Sequence, residues 1–362
     1  MTMRTRRPAA LTAVLSLAAL ACTVALVPAS TAAGQTTAAT TIDCAHTITE
    51  YSVPGGGGPD GIAAGPNGNT WSTLFTGAGL AQSTLSGLVT TSPLASGAQP
   101  SYLVIGPDGK LWVTERGINK IAQVDSAGTV VVEYTVPTAA SQPGGLAVGP
   151  DGNLWFTELA GNKIGKMTTG GAFTEYPIPT ANSLPLYITP GPDGNLYFSE
   201  NRNNANKIGM VTTSGSFTEY TIPTANSAPN YLIAGPDGRI WFTEAAADKI
   251  GAMTTGGAFT EYPVPTAGSV PDSITVGGDG ALWFTEYAAG NIARITTAGT
   301  VTAEYAIPTA SAGPIGITLG SNGELWWAEN SANAIGTFTN TCPVPTPAPP
   351  APAVVIAPTF TG

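Results

Sequence analysis

The stretch DGNLWFTE occupies residues 151–158, and close copies recur along the chain: DGKLWVTE from Asp108, DGNLYFSE from Asp193, DGRIWFTE from Asp237 and DGALWFTE from Asp279. Asp-Gly favours a tight hairpin, because glycine takes the positive φ such a turn demands and the Asp side chain bonds its own backbone. With Asn67-Gly68 and Asn322-Gly323 there are seven such turns, spaced 41, 43, 42, 44, 42 and 43 residues apart. Seven units near 42 residues, each with several short strands and Gly turns, predict an all-β chain folded as a seven-bladed β-propeller. In the third unit the four strands read GLAVG (a), LWFTE (b), KIGKMTT (c) and AFTEYPIP (d), with GPDGN and TTGG as hairpins. Strand direction alternates, so the a–b and c–d turns share one rim. The d–a and b–c loops share the other, where ligands meet propellers.

Composition agrees. Of 362 residues, 43% are hydrophobic and only 10% charged, with 45 Gly and 31 Pro, which marks turn-rich β structure. Residues 1–33 read as a secretory signal peptide: Arg4, Arg6 and Arg7, an apolar run from Ala9 to Val27, then PASTAAG with cleavage near Ala32 or Ala33. Its loss removes three of the 13 basic side chains against 23 acidic ones. Such an acidic surface repels phosphate backbones, so nucleic acid is not an expected partner. A secreted, extracellular monomer without a membrane span in its mature form is expected.

The chain ends suggest how the ring closes. HTITEYSVP, residues 46–54, matches strand d but precedes the first repeat, whereas the seventh repeat runs AIGTFTNTCPVP and lacks a full strand d. An N-terminal strand joining the last blade is therefore expected, with a propeller over 44–342. Cys44 and Cys342 then flank the missing c–d turn. With Cys22 lost in the leader they are predicted to pair as a disulfide in an oxidising compartment, contributing about 5 kcal/mol by loop-entropy reasoning. Residues 343–362 form a Pro-rich tail.

The pattern PxxIxxGPDGxLWFTExxxNKIGxMTTxGxFTEYPIPT, running from about Ile48 to Cys342, resembles the streptogramin B lyase (virginiamycin B lyase) family. The resemblance implies a seven-bladed propeller that opens a cyclic depsipeptide ester by elimination, with Mg²⁺ and histidines at PHxI openings of strand a in the last two blades. Here those openings read PDSI and PIGI, placing Asp272 and Ile315 where the family has histidine. Gly313 stands for the family's acid before the last PH, and its metal-binding acid falls at or beside Glu329 and Asn330. The single histidine, His46, is expected on the opposite rim. Histidine acid–base catalysis is therefore not expected, and lyase activity would need another base.

Most acids repeat and so read as architecture. Asp108, Asp151, Asp193, Asp237 and Asp279 open turns, and Glu50, Glu133, Glu175, Glu219, Glu261 and Glu304 belong to the EY of strand d. Glu115, Glu158, Glu200, Glu244, Glu286 and Glu329 end strand b. The first four of these are followed by Lys120, Lys163, Lys207 and Lys249, expected as cross-strand ion pairs worth about 0.2–1 kcal/mol. Glu286 and Glu329 face Asn291 and Ala334 instead. Together with Asp60 and Asp272, which open strand a on neighbouring blades, they are the candidate ligands of a hard cation, Mg²⁺ or Ca²⁺. Asp272 and Glu286 are the candidate catalytic acids.

Tyr102, Tyr187 and Tyr231 near the start of strand a, Asn230, Tyr287, and Arg116 and Arg202 in b–c loops are candidates for binding a small-molecule or peptide-like ligand. Blade 1 departs most, with Leu74 in the glutamate position. No G-x-S-x-G elbow, phosphate loop or two-cysteine zinc motif occurs in the mature chain, and a serine triad lacks its histidine. The leading expectation is ligand or partner binding. The alternative is a metal-assisted carbon–oxygen lyase or hydrolase acting on a cyclic ester through an Asp or Glu base.

Overall fold

Seven Asp-Gly or Asn-Gly turns joining short apolar runs become, in the computed structural model, twenty-eight strands and no helix among the described residues, 46–202 and 205–340. β1 (His46–Ser52) precedes the repeats. Blade 1 holds β2 (Pro59–Ala64), β3 (Thr70–Leu74), β4 (Gly79–Ser83) and β5 (Val89–Pro93). Blade 2 holds β6 (Pro100–Ile105), β7 (Leu111–Glu115), β8 (Lys120–Val124) and β9 (Val130–Thr135). Blade 3 holds β10 (Pro143–Val148), β11 (Leu154–Glu158), β12 (Lys163–Met167) and β13 (Phe173–Pro177). Blade 4 holds β14 (Pro185–Pro190), β15 (Leu196–Glu200), β16 (Lys207–Val211) and β17 (Phe217–Thr221). Blade 5 holds β18 (Pro229–Ala234), β19 (Ile240–Glu244), β20 (Lys249–Met253) and β21 (Phe259–Pro263). Blade 6 holds β22 (Pro271–Val276), β23 (Leu282–Glu286), β24 (Asn291–Ile295) and β25 (Val301–Ala306). β26 (Pro314–Leu319), β27 (Leu325–Glu329) and β28 (Ala334–Asn340) belong to the last.

Blades 1 to 6 are antiparallel meanders in chain order, and the last sheet has the order β1-β28-β27-β26. Tyr51 stacks on Trp326 with ring centroids 6.0 Å apart, and the Val53 N–H donates to Asn333 O at 2.9 Å. Within the body Ile48–Thr339 each inner strand packs on the next, and β26 packs on β2, so the ring of seven blades is closed. The expected signal peptide, the expected Cys44–Cys342 pair and the Pro-rich tail all lie outside the described residues. No helix among the described residues is long and apolar enough to cross a membrane.

The recurring motif builds the blade from the turn inward. Gly152 takes φ +73° at the a–b turn, and Asp151 Oδ1 accepts a hydrogen bond from Trp155 Nε1 at 3.0 Å. That bond satisfies the indole of a fully buried ring. Tyr197 replaces the tryptophan in blade 4 and keeps the link, its hydroxyl donating to Asp193 Oδ2 at 2.9 Å. Each ring fills the core between neighbouring sheets. In blade 1 Leu74 is buried among Val53, Ile62 and Trp326, so the divergent position is core rather than an exposed apolar patch.

Candidate functional site

Every inner strand carries the same irregularity. Register slips between its opening proline and its fourth residue, as between Pro229 and Leu232 against β19 and between Pro271 and Ile274 against β23. This is a β-bulge, which re-aims side chains and frees a backbone N–H from the ladder. In blades 2, 5 and 6 the strand-b threonine of the LWFTE motif takes that N–H. Thr243 Oγ1 accepts from the Tyr231 N–H at 3.2 Å and donates to Asp272 O of the next blade at 2.7 Å. Thr114 does the same for the Tyr102 N–H (3.1 Å) and Gly144 O (2.8 Å). The loops leading into the bulges are stitched by the asparagine before strand c: Asn162 Nδ2 donates to Thr180 O at 3.0 Å, and its Oδ1 accepts from the Ser183 N–H at 2.7 Å.

These rigid bulges are where the repeats differ chemically. Tyr102, Tyr187 and Tyr231 hold the third strand position in blades 2, 4 and 5, and they meet. Tyr187 and Tyr231 stack with centroids 3.8 Å apart, while Tyr102 leans on both at 5.3 and 5.8 Å. Blade 3 has Gly145 at this position, where a Cβ would stand 2.7 Å from Tyr187 Cα. Burial pushes the Tyr187 hydroxyl up to about 12 and those of Tyr102 and Tyr231 well above their ordinary value, so all three stay protonated and able to donate.

Asp272 and Asp60 hold the second strand position in blades 6 and 1. Asp272 Oδ2 accepts from Asn230 Nδ2 at 2.7 Å, and burial pushes its carboxyl up to about 7. Asp60 also rises to about 7, through burial and then the charge of Asp272, with Arg116 opposing. Both carboxylates act on the Tyr102 hydroxyl, so the acids and the tyrosines share one electrostatic neighbourhood.

Arg116 lies beside this group, its Nε and Nη2 donating to Gln142 Oε1 at 3.3 and 3.1 Å. Gln142 separates two cavities on the same rim. One, of about 290 Å³, is lined by Phe75, Gln99 and Arg116; the other, of about 340 Å³, by Leu159, Leu184 and Arg202. Sequence reasoning missed Gln142, whose only signal was a glutamine before a strand-opening proline. Arg202 is exposed and lines the second of these cavities. Tyr287 is 40% exposed and lies against Gly313, where a Cβ would stand 3.2 Å from its Cε2.

Two expectations are corrected. The four acids Asp60, Asp272, Glu286 and Glu329 are not gathered into one cation site; among the described residues no group of three or more His, Cys, Asp or Glu is placed to hold a metal ion. Glu286 and Glu329 end strand b, one strand out from the axis, and are fully buried within their blades. Glu286 Oε2 accepts from Asn291 Nδ2 at 2.6 Å beside Glu304, and Glu329 Oε1 accepts from Trp327 Nε1 at 2.8 Å beside Glu50.

The lysine pairing is corrected too. Glu158 does stand opposite Lys163 in the ladder, but Lys163 Nζ binds Glu175 Oε2 on strand d at 2.9 Å. Lys207 and Lys249 likewise bind Glu219 and Glu261 at 2.9 and 3.3 Å, and Lys120 binds Glu133. The strand-d carboxylate is the better partner because it is already fixed: Glu175 Oε1 accepts the Thr138 N–H of the preceding blade at 2.9 Å. Glu158 is left fully buried, and the neighbouring Ser141 hydroxyl is committed to Asn119 Oδ1 at 3.0 Å. Burial and then the strand-d charge push Glu115, Glu158 and Glu244 up to about 7 and Glu200 to about 8.

The virginiamycin B lyase family model matches residues 46–205 and 202–351. The chain belongs to the virginiamycin B lyase family. A streptogramin B lyase structure superposes with a TM-score of 0.77 at 36% identity, covering 82% of this chain and 98% of that one. A catalytically inactive virginiamycin B lyase from Staphylococcus aureus, with a histidine changed to alanine and solved with quinupristin, gives 0.76 at 38% identity, covering 82% and 99%. Hydrazine synthase of Kuenenia stuttgartiensis, at 16% identity and a TM-score of 0.67, covering 79% of this chain and 96% of that one, shares the fold alone. No curated protein sequence matches.

Proposed function

We propose that this chain is a secreted streptogramin-lyase-like propeller that binds an organic or peptide-like ligand over the bulges at its axial mouth, without the histidine catalysis of its family. The convergence of Tyr102, Tyr187 and Tyr231 carries this reading. Three rings offer apolar surface and protonated hydroxyls, while Asn230 and Asp272 add a few fixed polar groups, which is the make-up of a small-molecule site. By the resemblance, Asp272 and Ile315 are expected where the family has histidine, and the one histidine of the sequence, His46, begins β1.

Quinupristin, the compound held by the Staphylococcus aureus relative, is the first ligand to test. Calorimetric titration should show saturable binding that Tyr187→Ala weakens about tenfold, roughly 1.4 kcal/mol. Mass spectrometry should recover the compound intact. Ring-opened product would overturn the binding-only reading.

It would favour the second reading, a carbon–oxygen lyase or hydrolase with Asp272 as base. A carboxyl pushed up to about 7 accepts protons well at neutral pH. Any Mg²⁺ or Ca²⁺ assistance would rest on Asp60 and Asp272 alone among the expected ligands. Loss of product in Asp272→Asn, with binding retained, would support that reading.

A further inference from the structure

The two axial aspartates are not required by the fold. The same bulge position holds Ser101, Gly144, Leu186 and Ile315 in other blades, and those blades form the same sheets. Neither Asp60 nor Asp272 has a salt bridge among the described residues. Asn230 takes one oxygen of Asp272. The one cation acting on Asp60 is Arg116, two of whose donors are committed to Gln142.

Two half-buried acids beside a packed aromatic group invite positive charge. A hard metal ion is a poor fit, since Ca²⁺ needs six to eight oxygens and Mg²⁺ near-octahedral geometry, and no third acid joins the pair among the described residues. An organic cation needs no inner shell of oxygens, and aromatic faces attract it by their quadrupole.

We infer that the axial mouth takes a ligand bearing a protonated amine or quaternary ammonium group, seated against Tyr102, Tyr187 and Tyr231 between the carboxyls of Asp60 and Asp272. This rests on the binding reading above and adds the charge of the ligand. Electrostatics then imply proton release. Below about pH 7 both acids hold protons, and a bound cation drives them off. The other groups acting on the pair among the described residues are the three tyrosines, which stay neutral, and the guanidinium of Arg116, which lowers Asp60.

The test is calorimetry on the mature protein with phenethylamine and its uncharged counterpart 2-phenylethanol, at pH 6 in two buffers of different ionisation enthalpy. The amine is expected to bind at least about tenfold tighter than the alcohol and to release protons. Asp60→Asn/Asp272→Asn, confirmed folded by near-ultraviolet circular dichroism, is expected to erase both the preference and the release. Equal affinities, or an amine preference unchanged in the double variant, would overturn this inference. If quinupristin or the alcohol binds at the tyrosines without any preference for amine, the inference fails while the binding reading stands. If quinupristin, amine and alcohol all fail to bind, both fail.

Discussion

The propeller holds two kinds of buried acid. The strand-b glutamates, Glu115 through Glu329, and the axial aspartates, Asp60 and Asp272, are alike in chemistry: burial raises both sets to near neutrality. They differ in repetition. The glutamates recur in six blades, each within its blade and four of them beside a lysine already bound elsewhere. The aspartates occur at two of seven equivalent positions, and both act on Tyr102 of the tyrosine cluster. Repetition marks what the ring needs to stand; departure from repetition at a rigid, repeated place marks what the ring presents.

That distinction makes its largest claim about pH. Strand-b glutamates have folded values above the ordinary 4.5, so the folded chain holds more protons than the unfolded one. Their contribution is full below the unfolded value and is lost as pH rises through about 7 to 8, up to about 1.4 kcal/mol per pH unit per group. Glu175, Glu219 and Glu261 are held low by lysine and threonine partners, so their contribution is lost as pH falls below the ordinary value. Thermal unfolding should therefore peak near pH 5 and fall steadily to pH 8. Glu200→Gln should flatten the fall, and a Tm independent of pH over that range would refute the account.

Next in size is the clamp between blades. Glu175→Ala strands Lys163 and two donors of Thr138, and should cost about 2–3 kcal/mol in denaturant unfolding. Ligand binding should stay unchanged, because Glu175 lies on the outer strand. Smaller still is Thr243→Val, which removes the hydroxyl joining the Tyr231 N–H to Asp272 O. It should cost about 1–2 kcal/mol and, unlike Glu175→Ala, should also weaken quinupristin, because it loosens the bulge that aims both residues.

Much of this was legible in the sequence. The Asp-Gly and Asn-Gly turns fixed the number of blades because a hairpin turn is a local demand, met or unmet within four residues. The buried tryptophans followed from the same repeats. What could not be read was lateral. Glu158 and Lys163 face each other across a ladder, yet the lysine turns to Glu175, because a neighbouring blade had already oriented that carboxylate. Glu286 and Glu329 lacked lysines in sequence and so resembled metal ligands, but their strand lies one step out from the axis. The threonine of LWFTE was the overlooked signal: in blades 2, 5 and 6 its hydroxyl takes the N–H of the third residue of the bulged strand.

The most direct test of this division is the double variant Asp60→Asn/Asp272→Asn at pH 7, measured for both thermal unfolding and quinupristin affinity. If the axial aspartates serve the ligand, removing two desolvated carboxyls should leave Tm unchanged or higher while affinity falls at least about tenfold. A Tm several degrees lower with affinity intact would mean that these acids, too, are architecture.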